Sequence, residues 1–188
     1  VFVRSAEGGN TVNYNPDGED PRMKFRIGFN SVNTIHRQLL LTIDTNATEA
    51  IDWGYDAAYI DTQMDDMYWM ISNEKFNIQA RDTIVQSTVI PLGLHLRNGG
   101  QNKIGIDLLE NVPDEVQIFI HDKILNTYHN IRQSKYVFSL PPGAYLDRFE
   151  LTFQEGSALS VKEDELSAFE IYYANSHENL VLVNPTLR

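Results

Sequence analysis

Apolar and polar residues alternate with period two in six stretches of the chain. Phe25, Ile27 and Phe29 share one phase, with Lys24, Arg26 and Gly28 on the other. Leu39, Leu41 and Ile43 repeat the pattern, as do Ile104, Ile106 and Leu108, then Val116, Ile118 and Ile120. Tyr136, Phe138 and Leu140 follow, and last Phe149, Leu151 and Phe153. Such alternation marks strands that pack on one face and meet water on the other. Turn-forming clusters separate the runs, at Asn15-Pro16-Asp17-Gly18, Asn98-Gly99-Gly100-Gln101-Asn102 and Pro141-Pro142-Gly143. No stretch carries an extended helical stripe; the nearest, Thr45 to Tyr59, is interrupted by Asp and Gly. The pattern predicts an all-β fold, an antiparallel β-sandwich of jelly-roll type over residues 1–156.

Residues 157–188 read differently. Gln154-Glu155-Gly156-Ser157 has linker composition, and Leu159 to Glu165 is a charged connector with weak patterning. Two short strand-like runs follow, Phe169-Glu170-Ile171-Tyr172-Tyr173 and Leu180-Val181-Leu182-Val183. Two strands alone are marginal in water, so this part reads as a short, partial β-module.

Composition narrows the chemistry. A chain of 188 residues is long enough for one domain with a real core and short for two. Cysteine is absent, which excludes disulfides, thiolate metal sites and a cysteine nucleophile. A net charge of -11 argues against nucleic acid and anionic lipid as partners, because both need a basic surface. Calcium and uncharged sugars suit it better. No apolar run approaches the roughly 20 residues of a membrane-spanning helix, so membrane insertion by a helix is not expected. Val1 opens the chain without a charged n-region and apolar h-region, so the chain reads as part of a larger protein.

One ordered set of motifs goes further. Trp53-Gly54-Tyr55-Asp56-Ala57-Ala58, Ile90-Pro91-Leu92-Gly93, Ile120-His121-Asp122-Lys123, His129-Asn130, Tyr136-Val137-Phe138 and Asp147-Arg148-Phe149 to Phe153 occur in that order over about a hundred residues. This closely resembles the C-terminal β-domain of proteins exported by the bacterial type IX secretion system. The stretch from Leu159 to Asn184 is similar to the opening of their C-terminal sorting domain. Where that domain usually has proline-asparagine-proline, this chain has Ala174-Asn175-Ser176. The resemblance implies an exported protein at the cell surface or outside the cell, of adhesin or gliding type. The implied partner is the outer-membrane export and anchoring machinery. Such β-domains occur beside adhesins and polysaccharide-degrading enzymes alike, so the resemblance speaks to location more than to activity.

Candidate chemistry is concentrated between Asp44 and Trp69, where carboxylates and aromatic rings are interleaved. Asp44, Asp52 and Asp56 are the carboxylates that would take calcium, which needs about six to eight oxygen ligands. The competing reading has them accept backbone N–H groups in turns, as Asp commonly does. Trp53, Tyr55, Tyr59 and Trp69 are candidates for a platform on which sugar rings stack, against a competing reading in which they fill the core. Four further residues read as structural. Arg148 is placed to tie down a loop through a charge-assisted bond to Asp122 across the sheet, beside Asp147 at the mouth of the last strand. His129 falls in an expected turn. The five histidines lack metal-ligand spacing and no G-x-S-x-G occurs, so the residues give no support to a zinc site or a serine hydrolase.

Overall fold

The computed structural model describes residues 20–156 and the strand residues 170–174 and 179–183. The turn expected at Asn15-Pro16-Asp17-Gly18, the connector Leu159 to Glu165 and His177 lie outside the described residues. The chain divides into two units, Val1–Phe153 and Gln154–Arg188.

The first unit is all β among its described residues. Its strands are β1 (Lys24–Asn30), β2 (His36–Ile43), β3 (Ala57–Ala58), β4 (Asp66–Ile71), β5 (Glu74–Arg81) and β6 (Val89–Leu96). They continue with β7 (Gly100–Glu110), β8 (Phe119–Asp122), β9 (Thr127–Asn130), β10 (Tyr136–Leu140) and β11 (Gly143–Thr152). The second unit contributes β12 (Glu170–Ala174) and β13 (Asn179–Val183), paired antiparallel with each other.

One hydrogen-bonded sheet runs β10-β7-β1-β2-β5-β4-β6-β11-β8-β9, with β3 attached to β5. The expectation of purely antiparallel pairing is corrected here, because β2 and β5 pair in parallel, Leu40 opposite Ile78 through Ile43 opposite Arg81. The parallel pair arises because β4 and β5 form a tight hairpin whose returning strand docks on β2. Ser72 and Asn73 make that turn with φ of 51° and 67°, the left-handed pair a two-residue hairpin turn requires. Two antiparallel arrays thus meet at one parallel seam. At the far ends of the path, β9 and β10 are joined by residues 131–135, and the His129 and Tyr136 rings lie 5.5 Å apart. The sheet is therefore nearly closed into a barrel.

The interior follows from the alternation. Phe25, Ile27, Phe29, Leu39, Leu41, Ile104, Ile118, Ile120, Phe149 and Leu151 are fully buried in one cluster with Trp69, Leu92 and Leu94. The expectation fails at Leu108. The register between β1 and β7 shifts at Arg26 and Ile27, which turns Leu108 outward to 49% exposure. Val116 precedes β8 instead of lying in it, and Thr45 to Tyr59 forms loop and the two-residue β3.

Candidate functional site

The loop between β2 and β4 carries most of the candidate residues, and its carboxylates are engaged by its own backbone. Asp44 accepts from the Asn46 N–H at 3.0 Å and from Arg22 Nη1 at 3.0 Å. Asp52 accepts from the N–H and hydroxyl of Thr48. Asp56 takes the Asp52 N–H at 2.7 Å on one oxygen and the Ala80 N–H at 2.8 Å on the other. These bonds are of the turn-capping kind. Among the described residues no group of three or more His, Asp and Glu side chains is arranged to hold a metal ion.

The four aromatic candidates separate sharply. Trp53 is 97% exposed, on a loop pinned at both sides by Asp52 and Asp56. Tyr55 and Tyr59 are half-buried. Trp69 leaves the platform altogether: it is fully buried, and its indole N–H donates to the Leu40 carbonyl at 3.0 Å. Its reason is the continuous run Met67-Tyr68-Trp69, which is buried on both faces of β4.

Three carboxylates are fully buried, Asp65, Asp66 and Asp122, and the last two each hold an arginine. Asp66 is fully buried and accepts from Arg37 Nε at 2.6 Å and Nη2 at 3.0 Å, from the Tyr59 hydroxyl at 2.6 Å, and from the Gln63 and Met67 N–H groups. Arg37 also reaches Asp61 at 3.0 Å and stands 5.7 Å over the Tyr59 ring. Burial and the neighbouring Asp66 carboxylate push the Tyr59 hydroxyl above the usual tyrosine range, so it serves as a donor.

Asp122, also fully buried, accepts from Arg148 Nη2 at 2.7 Å and Nε at 3.0 Å, from the Tyr136 hydroxyl at 3.1 Å, and from the Ile124 and Leu125 N–H groups. Burial alone would push its carboxyl up, but the bonds from Arg148, Leu125 and Tyr136 outweigh that and hold it below the usual range. The register shift between Tyr145 and Phe149 interrupts the alternation beside Arg148. Asp147 is exposed and lines a groove of about 680 Å³ with Met70, Pro91, Lys123 and Leu146. His129 belongs to β9, not to a turn, and its Nε2 donates to the Ser134 carbonyl at 2.9 Å.

Sequence reasoning missed a polar cluster on the outer face of β7, β1 and β2. His36 Nε2 donates to Asp107 at 2.9 Å, and its Nδ1 accepts from Asn30 at 2.9 Å, an assignment fixed by the amide donor. Gln38 also donates to Asp107 at 2.9 Å. Lys135 approaches Asn30 Oδ1 at 3.5 Å. Arg37 was findable, since a charge in phase with Leu39 and Leu41 must be paired inside.

A family model described as a domain of unknown function, DUF8693, matches residues 3–153. The chain belongs to the DUF8693 family. The DUF8693 match ends at Phe153, where the first structural unit ends. Neither a curated protein nor a solved structure matches the chain.

Proposed function

We propose that this chain is a non-catalytic, extracellular β-domain of a larger surface or secreted protein, of adhesin or gliding type, standing ahead of a type IX sorting signal. The ordered motifs from Trp53 to Phe153 support the location. One structural observation carries the mechanical role: the buried charges Asp66, Asp122 and Arg37, with the half-buried Arg148, are committed to internal bonds that fasten strands and loops. In a chain without cysteine, such bonds and the apolar core supply the rigidity a spacer needs outside the cell. In this reading the two antiparallel arrays serve as the layers of a jelly-roll-like sandwich. The partner is the outer-membrane export and anchoring machinery. Antibodies against residues 20–156 should label intact cells of the source bacterium and lose that labelling when type IX export is blocked. Labelling confined to permeabilised cells would sink the proposal.

A second reading, a carbohydrate-binding module, is favoured by Trp53 alone. An indole face 97% exposed on a hydrogen-bonded loop is already ordered for stacking on a sugar ring. Neutral polysaccharides should retard the protein in affinity gels, and Trp53→Ala should abolish the retardation while leaving the melting temperature in place. Equal retardation of both proteins would remove Trp53 from the reading.

A further inference from the structure

We propose that the outer face of β7, β1 and β2 around Asn30 is a binding shelf for the carboxylates of an acidic polysaccharide. This deepens the carbohydrate reading and rests on it, at residues separate from Trp53.

Two glycines lie beneath the shelf. Gly28 and Gly105 are direct cross-strand partners. A Cβ on Gly28 would collide with the Asp107 carboxylate, and one on Gly105 would lie 2.6 Å from the Lys135 stem. Asp107 and Lys135 therefore lie low across the strands, each filling space that any larger residue at the glycine would take.

The charge of this face runs against the rest of the chain. Its cations are Lys24, Arg26, Lys103 and Lys135, and the carboxylates at it are Asp107, Glu110 and, on Lys24 at 3.2 Å, Asp20, in a chain of net charge -11. Lys24 and Arg26 are occupied by Glu110, at 3.3 and 2.9 Å. Asp107 is held by His36 and Gln38. Lys103 and Lys135, both exposed, have no carboxylate within ion-pair distance among the described residues. They flank one side chain: Lys103 is the cross-strand partner of Asn30, and Lys135 approaches its amide oxygen at 3.5 Å.

Two lysines on the strands around Asn30, one with its ammonium at the amide, offer charged donors for a carboxylate. Screening over about 8 Å at physiological salt lets this local pair act despite the overall negative charge. Asn30 and His36, bonded to each other, and Gln38 hold Asp107 in the neighbouring rows, at the roughly 4.8 Å strand spacing, and leave the two lysines as the groups open to a ligand. A low floor with polar groups in rows fits an extended chain of hydroxylated rings. A protruding peptide side chain would need a pocket.

Calorimetric titration of the full chain with a polyuronate oligosaccharide tests the shelf, beside a neutral glucan and a poly-glutamate peptide. The polyuronate should bind, more weakly at high salt. Lys103→Gln/Lys135→Gln should lower its affinity about tenfold or more, about 1.4 kcal/mol, with the melting temperature and Trp53-dependent binding of neutral glucan retained. No polyuronate binding, equal binding by the double variant, or equally tight binding of poly-glutamate overturns the shelf. Loss of neutral-glucan binding in Trp53→Ala is read separately, so the carbohydrate reading stands or falls on its own arm.

Discussion

Asp66 and Asp122 collect nearly the same ligands and do different jobs with them. Each is fully buried, and each takes one arginine, one tyrosine hydroxyl and two backbone N–H groups. Around Asp66 the side-chain partners come from β2 and from the loop before β4, and Arg37 recruits a second carboxylate, Asp61, from that same loop. Around Asp122 Arg148 comes from the neighbouring β11 and Tyr136 from β10, so the tyrosine bond crosses the place where the ends of the sheet meet. One set of donors thus fastens a loop, and the other holds a seam. What a buried carboxylate stabilises is set by where its donors originate in the chain, not by how many there are.

The comparison is tested most severely by removing each carboxylate. Asp122→Ala leaves the half-buried Arg148 and the Tyr136 hydroxyl without their shared partner and should cost about 3 kcal/mol or more in chemical denaturation. Hydrogen exchange should then rise across β8, β9 and β10. Asp66→Ala should fall at about 3 kcal/mol, because Arg37 keeps Asp61, with exchange rising first in residues 59–63. Indistinguishable exchange patterns in the two variants would erase the distinction.

Acid should act next. Asp122 and Asp65 both have carboxyls held below the ordinary range. At Asp65 burial pushes upward, and the bonds from Ser31, the Arg97 N–H, Asn33 and the Asn98 N–H together overcome it. A carboxylate whose folded value is depressed contributes stability above its unfolded value, and that contribution is lost as pH falls through the folded value. Stability should therefore hold above the ordinary aspartate range of about 3.9 and decline as pH drops below it. Asp122→Asn should flatten the decline.

The hydroxyls give smaller effects. Tyr136→Phe and Tyr59→Phe should each cost about 1 kcal/mol, the former by loosening the seam and the latter by loosening the loop. The smallest change in chemical denaturation should come from Asp61→Ala, since Asp61 is an exposed partner whose pairing is screened by solvent.

Much of the interior was legible in the sequence. Phe25, Ile27 and Phe29, or Phe149 and Leu151, declare their face by alternation alone. The link between Arg148 and Asp122 was expected as a charge-assisted bond across the sheet, and the two side chains meet at 2.7 Å. The parallel seam was not legible, since register between β2 and β5 depends on how a distant hairpin docks. Trp69 sits in a run without alternation, so its sequence gives no inward or outward phase. Tyr68 beside it is covered on the outer side by Tyr59 and Lys75, residues whose approach only the fold reveals. The shelf was hidden for a related reason: Asn30, His36, Asp107 and Lys135 belong to separate segments and meet only through the β2-β1-β7-β10 order.

The strand order carries a consequence for modular inheritance. The chain lays β1 and β2 in one array, β3 to β6 in the other, returns for β7, crosses for β8 and β9, returns for β10 and crosses again for β11. A gene break anywhere between β2 and β11 would split at least one array. Neither array exists as one contiguous stretch of chain. The unit can be gained, lost or shuffled among larger proteins only whole.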